Sequence, residues 1–159
     1  SNSYLFDQVQ GGALNDVGPY LIGFANALNK QPVVSVDSTC SKDGKIVTYF
    51  NSTVTYANGV VAILEGAIDQ TKDRYALVTG EKGTIMIPMF NRITHYQINL
   101  DDKSVISRDF TINGDDMTME IQALIDDVTQ GKTQSGVYGF EAHQENAKLL
   151  EQINDSFDR

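Results

Sequence analysis

The segment Gly11-Gly12-Ala13-Leu14-Asn15-Asp16-Val17-Gly18-Pro19-Tyr20 sets a carboxylate and a phenol four residues apart. Residues so spaced are neighbours on an α-helix, so Asp16 and Tyr20 would lie side by side on one flank. A phenol can give a proton to a developing alkoxide when a nearby cation adjusts it. A carboxylate beside it can orient the phenol or a substrate hydroxyl. The same residues also fit a plainer role, with Asp16 as a helix N-cap and Tyr20 as a half-buried anchor. Spacing alone leaves both open.

Other chemistries find little support. His95 and His143 are isolated, without a His-x-x-x-His or carboxylate-rich neighbourhood, and Cys40 is the only cysteine. A thiolate cage and an intrachain disulfide are therefore excluded, and no metal is expected. The glycines at 11–12 and 80–83 form neither a dinucleotide fingerprint nor a phosphate-binding loop, so the chain carries no cofactor motif of its own. No Ser-His-Asp or Cys-His arrangement can be built.

The elements that would position Asp16 and Tyr20 can be read from periodicity. Leu14, Val17, Leu21, Phe24, Ala25 and Leu28 form an apolar stripe at helical spacing. Pro19 restricts where that helix begins, and Asp16 as N-cap would put the proline in the first turn. From residue 32 to 112 the pattern is β-rich: strands are expected at 33–40, 45–56, 60–68, 75–79, 84–88, 93–100 and 105–112. Asn58-Gly59, Glu81-Lys82-Gly83 and Asp101-Asp102-Lys103-Ser104 supply hairpin turns, which imply mainly antiparallel pairing. After Asn113-Gly114, Met117, Ile121, Leu124, Ile125 and Val128 mark a helix ended by Gly131. Phe140, Ala147, Leu150, Ile153 and Phe157 mark a final one. The expected fold is α+β: one open, mainly antiparallel sheet with helices on one face, in a single domain spanning residues 1–159.

Composition agrees with a folded domain. The chain has 159 residues, 41% hydrophobic and 21% charged, which is ordinary for a globular unit with its own core. Its formal charge of -9 argues against binding nucleic acid through phosphates. No apolar run approaches the ~20 residues needed to cross a bilayer, and a lone thiol suits a reducing cytoplasm. The start at Ser1-Asn2, without an initiator methionine, is expected of a piece cut from a longer protein.

The motif Gly-Gly-x-Leu-x-Asp-x-Gly-x-Tyr at 11–20 resembles the segment that enters the first helix of the C-terminal domain of Gfo/Idh/MocA oxidoreductases. Three further segments match in order. Val54-Thr55-Tyr56-Ala57-Asn58-Gly59 is similar to a strand ending in an Asn-Gly turn, and Val78 through Ile85 to a Gly-x-Lys-Gly-x-Ile hairpin. Residues 116–135, with Met119-Glu120-Ile121 and Gly131-Lys132, resemble that family's following helix. Asn15 stands where the family is usually apolar, and Pro19 where branched residues are common, so the start of the helix is expected to differ locally.

The resemblance implies a two-domain enzyme. An N-terminal Rossmann domain, absent here, would bind NAD or NADP. A domain like this one would form the substrate wall and, through its sheet, a homodimer. It implies hydride transfer on a sugar, polyol or dihydrodiol. In the dihydrodiol-dehydrogenase-like branch, the tyrosine at position 20 would act as general acid/base with Asp16 assisting and a lysine from the absent half. Phe90 falls where that branch has an aromatic near the substrate, although it also suits a hairpin tip packed on the sheet. By itself the fragment is expected to be inactive. The same fold also serves non-catalytic sugar or cofactor sensors and dimerisation modules, which is the alternative reading.

Overall fold

The computed structural model describes residues 3–7, 10–112, 114–136 and 138–158. Ser1-Asn2, the Gln8-Val9 part of the aperiodic lead, and Asn113 of the expected turn lie outside the described residues. In chain order the elements are a 3-10 turn (Tyr4–Phe6), α1 (Ala13–Asp16), α2 (Gly18–Leu28), β1 (Val33–Asp43), β2 (Ile46–Tyr56), β3 (Val61–Ala67), β4 (Ala76–Gly80), β5 (Gly83–Ile87), β6 (His95–Leu100), β7 (Val105–Asp109), α3 (Asp116–Thr129) and α4 (Phe140–Ser156). Each strand and both later helices fall where the residue pattern puts them, with β7 ending three residues short of 112. The α+β, antiparallel expectation holds. The strands divide between two sheets, β1-β2-β3 and β4-β5-β6-β7, where one was expected.

The chain forms two compact units, Ser1–Lys72 with Tyr138–Arg159, and Asp73–Val137. In the first, β2 is the central strand and its alternation decides which face is core. Thr48, Phe50, Ser52, Val54 and Tyr56 are buried, while the residues between them are half exposed. Ile22 from α2, Ala13 and Leu14 from α1, and Leu149 and Ile153 from α4 close over that face. Burial of such side chains contributes about 1.5–3 kcal/mol each.

Two polar or small residues let this face pack. Ser52 is fully buried, and the Ser38 hydroxyl directly across the β1–β2 pair donates to its oxygen at 2.9 Å. Gly66 lies opposite Phe50 on β3, and a Cβ there would stand 2.5 Å from Phe50 Cε1 and 2.6 Å from Val17 Cγ2. The ring fills the space that a side chain would need.

The expected helix stripe is corrected in phase. Leu28 is 58% exposed, whereas Ile22, outside the stripe, is fully buried. The chain breaks at Val17, so the stripe does not run along one continuous helix. The final helix shifts similarly: Phe140 is 68% exposed, and Leu149 takes a core place beside Ile153.

In the second unit the four strands pair in sequence order. Helix α3 starts at an Asp115 cap, whose carboxylate accepts from the Thr118 N–H at 2.8 Å. Its far end is held by Asp127, which accepts from Lys132 Nζ at 2.7 Å and from the Gly136 N–H at 3.3 Å. The α3 stripe of Met117, Ile121, Leu124, Ile125 and Val128 is exposed.

Candidate functional site

Asp16 and Tyr20 stand on two short consecutive helices rather than one. Gly12 adopts a φ of 101°, a conformation that suits glycine, and opens α1 directly at Ala13. Pro19 then prevents the helix from running on, because it has no N–H for the carbonyl four residues earlier and its ring would collide there. The chain therefore breaks at Val17, and Pro19 enters α2 in its first turn, where its missing N–H is harmless. This corrects the expectation that Asp16 caps the helix presenting Tyr20. Val17 holds the N-cap position, without a side-chain bond, and Asp16 is the last residue of α1.

The partner of Asp16 also differs from the spacing argument. Its Oδ1 accepts a hydrogen bond from the Tyr4 hydroxyl at 2.8 Å. Among the described residues no hydrogen bond joins Asp16 to Tyr20, whose side of α2 is open to solvent at 65% exposure. The hydrogen bond to Asp16, then the charge of Asp16, then burial and the proximity of Tyr20 raise the Tyr4 phenol above its ordinary value. Tyr4 thus stays a neutral donor through the neutral range. Three oxygen groups, two phenols and one carboxylate, share the site.

Tyr4 does not hang on a loose tail. The Gly12 N–H donates to the Leu5 carbonyl at 2.8 Å and the Gly11 N–H to the Asp7 carbonyl at 3.0 Å. Gly11 has no room for a Cβ, which would fall 2.4 Å from the Leu5 oxygen and 2.6 Å from that of Asp7. The double glycine thus does two jobs, close backbone approach at Gly11 and helix entry at Gly12. Asn15, the departure from the family pattern, donates its amide to the Gly11 carbonyl at 3.0 Å and holds the same turn. Nothing in the residue pattern signals Tyr4, because it lies 12 positions from Asp16 in an aperiodic segment.

Behind α2 runs a second polar set. Tyr56 Oη donates to Asn26 Oδ1 at 3.0 Å, and Asn26 Nδ2 donates to Asn146 Oδ1 at 2.7 Å. Asn146 in turn donates to the Tyr138 hydroxyl. This set ties α2 to β2 and α4 and so fixes the helix that carries Tyr20. A cavity of about 210 Å³ at the far end of α2, lined by Asn29, Lys30, Glu145, Lys148 and Gln152 among others, includes neither Asp16 nor Tyr20.

Phe90 lies in the turn after β5, half buried, with its N–H donating to the Arg74 carbonyl at 3.0 Å. It belongs to the second unit and Asp16 and Tyr20 to the first. Among the described residues no group of three or more His, Cys, Asp or Glu could hold a metal ion. No helix among them is long and apolar enough to cross a membrane.

The family model described as the GFO/IDH/MocA C-terminal domain matches residues 1–86. Among curated protein sequences none matches this chain. Several solved structures share its fold. An aldose-aldose oxidoreductase from Caulobacter crescentus, complexed with glycerol, superposes with a TM-score of 0.83 at 17% identity, over 98% of this chain and 48% of that one. A UDP-N-acetylglucosamine 3-dehydrogenase from Acidithiobacillus ferrooxidans gives 0.81 at 12% identity, over 96% and 49%. A 3-ketoreductase from Actinomadura kijaniata, in complex with NADP, gives 0.75 at 20% identity, over 92% and 48%. The chain spans about half the length of each of these structures.

Proposed function

This chain belongs to the GFO/IDH/MocA C-terminal domain family, and from that membership we propose that residues 1–159 act as the substrate-side domain of an NAD(P)-dependent oxidoreductase. Its substrate is a sugar, polyol or dihydrodiol, and Tyr20 is the general acid/base with Asp16 assisting. The carrying observation is the exposed Tyr20 phenol, presented on a helix that two hydrogen-bonded asparagines lock to the core. An exposed phenol on a rigid helix can meet a substrate held against a second domain. Neighbours that share the fold bear oxidoreductase names and one was solved with NADP, which supports the class.

When bound, the nicotinamide would supply or accept the hydride, and its binding groups belong to a Rossmann domain preceding this chain. The groups present here deal with the proton and the hydroxyl. Tyr20 gives its proton to the oxygen of the substrate carbbonyl during reduction and takes it back during oxidation. Asp16, with one oxygen engaged by Tyr4, accepts from a substrate hydroxyl or from Tyr20 through the other. The tyrosine at position 20 is what supports a dihydrodiol-dehydrogenase-like branch in this reading.

The proposal extends to a cytoplasmic homodimer formed through the sheet. Its support is the uncovered face of β1-β2-β3, where Ile63 at 70% and Val61 at 54% exposure stand opposite Thr53 and Thr55. Light scattering across a range of concentrations should find a dimer, and a persistent monomer overturns this part. For the site, Tyr20→Phe in the full-length protein should lower turnover by roughly 10²–10⁴-fold with little change in cofactor binding. Unchanged turnover removes Tyr20 from the mechanism.

A further inference from the structure

We propose that Tyr4 is a positioning residue of this site: its hydroxyl holds Asp16 by Oδ1 and so leaves Oδ2 as the working acceptor for Tyr20 or a substrate hydroxyl. The inference rests on the reading of Tyr20 and Asp16 given above and adds a residue from outside the motif.

Three observations carry it. The Tyr4–Asp16 bond is 2.8 Å long and spans 12 residues, so it is a tertiary contact and not a by-product of helix geometry. The turn bearing Tyr4 is built, stitched to the start of α1 through the Gly11 and Gly12 N–H groups and closed so tightly that Gly11 cannot carry a side chain. Among the described residues Asp16 Oδ2 has no hydrogen-bond partner, so one oxygen is committed and the other is free.

Chemistry then separates the two phenols. A carboxylate on the surface samples several rotamers, and a charge-assisted bond to one oxygen narrows them. Tyr4, bonded to a negative group, keeps its proton and serves as a fixed donor. Tyr20, whose hydroxyl makes no hydrogen bond among the described residues, is the phenol left open to a substrate. A site that needs Asp16 in one orientation gains from a neighbour that holds it without occupying both oxygens.

The test uses the full-length protein, with NAD or NADP reduction followed by nicotinamide absorbance and glucose, xylose, myo-inositol and benzene dihydrodiol as probes. Tyr4→Phe should lower kcat about tenfold, in line with the loss of one hydrogen bond to a charged group, and leave cofactor KM unchanged. In an Asp16→Ala background the same change should have no further effect, because Tyr4 acts only through Asp16. An ultraviolet titration supplies a readout without turnover: the phenol lost in Tyr4→Phe should ionise at lower pH in Asp16→Asn than in the parent. Equal losses in both backgrounds would mean a purely structural role and overturn the proposal. Wild-type kcat in Tyr4→Phe alongside a crippled Tyr20→Phe overturns it while sparing the Tyr20 reading. An unaffected Tyr20→Phe removes both.

Discussion

The Tyr56 hydroxyl reaches Asn26 Oδ1 at 3.0 Å across the core, joining the central strand β2 to the helix that presents Tyr20. Tyr56 is only 1% exposed, and its burial pushes the phenol above the ordinary value of about 10. Tyr56→Phe keeps the ring but leaves the Asn26 oxygen without its donor, and should destabilise the fold by about 1–3 kcal/mol in urea unfolding near neutral pH. The pH dependence has a definite sign. Because the folded phenol ionises later than the unfolded one, stability is full below about pH 10 and falls as pH rises through the folded value. Tyr56→Phe should remove that alkaline loss; an unchanged alkaline limb would show that another group causes it.

Gly66 should tolerate no side chain. Alanine there would press its Cβ into Phe50 and Val17, at 2.5 and 2.6 Å before relaxation. Overpacking of this kind costs about 1–3 kcal/mol, which thermal unfolding can resolve. Pairing Gly66→Ala with Phe50→Leu should recover part of the loss, because the smaller chain vacates the contact. Strictly additive losses would place the strain elsewhere.

Gly11→Ala tests the turn beneath the candidate site. Its Cβ would meet the Leu5 and Asp7 backbone oxygens, neither of which can swing away like a side chain. The turn should open and take Tyr4 from Asp16, so turnover in the full-length protein should fall about as far as in Tyr4→Phe. Circular dichroism of the remainder should change little. Full activity would mean that the turn is dispensable.

Asp115 gives a pH-sensitive helix start. The Thr118 N–H and hydroxyl bonds hold its carboxyl below the usual carboxylate value. A depressed folded value contributes stability above the unfolded one, near pH 4, and loses it as pH falls through the folded value. The protection of the Thr118 amide against exchange, taken relative to its intrinsic rate at each pH, should fall in that acid window and in Asp115→Ala at neutral pH. Asp115→Asn should keep the cap and lose the acid dependence. Identical acid profiles for Asn and Asp would refute the assignment.

Local chemistry was the legible part of the sequence. Asn58-Gly59 announces its hairpin because the turn needs a left-handed backbone, and Gly59 has a φ of 82°. The alternation of β2 shows directly as burial. Pro19 announces a break, but not on which side of it Asp16 would fall. The answer lay with Gly12, whose backbone starts a helix before the proline can. Contacts made at a distance leave no periodic trace, which is why Tyr4 with Asp16 and Asn26 with Asn146, 120 positions apart, emerge only from the fold.

The discontinuity of the first unit has a consequence for how the chain comes to be folded. Helix α4 brings Leu149 and Ile153 to a core otherwise made from the first 72 residues, and residues 73–137 intervene. During synthesis β1-β2-β3 and α2 emerge long before the helix that completes them. Ile22 and Phe50 must wait, partly uncovered, until α4 leaves the ribosome. Closure over that separation carries a loop-entropy penalty and slows the final docking step. The platform for Tyr20 therefore becomes rigid only when α4 arrives, so a chain stopped before α4 would leave the motif intact in sequence and unsupported in space.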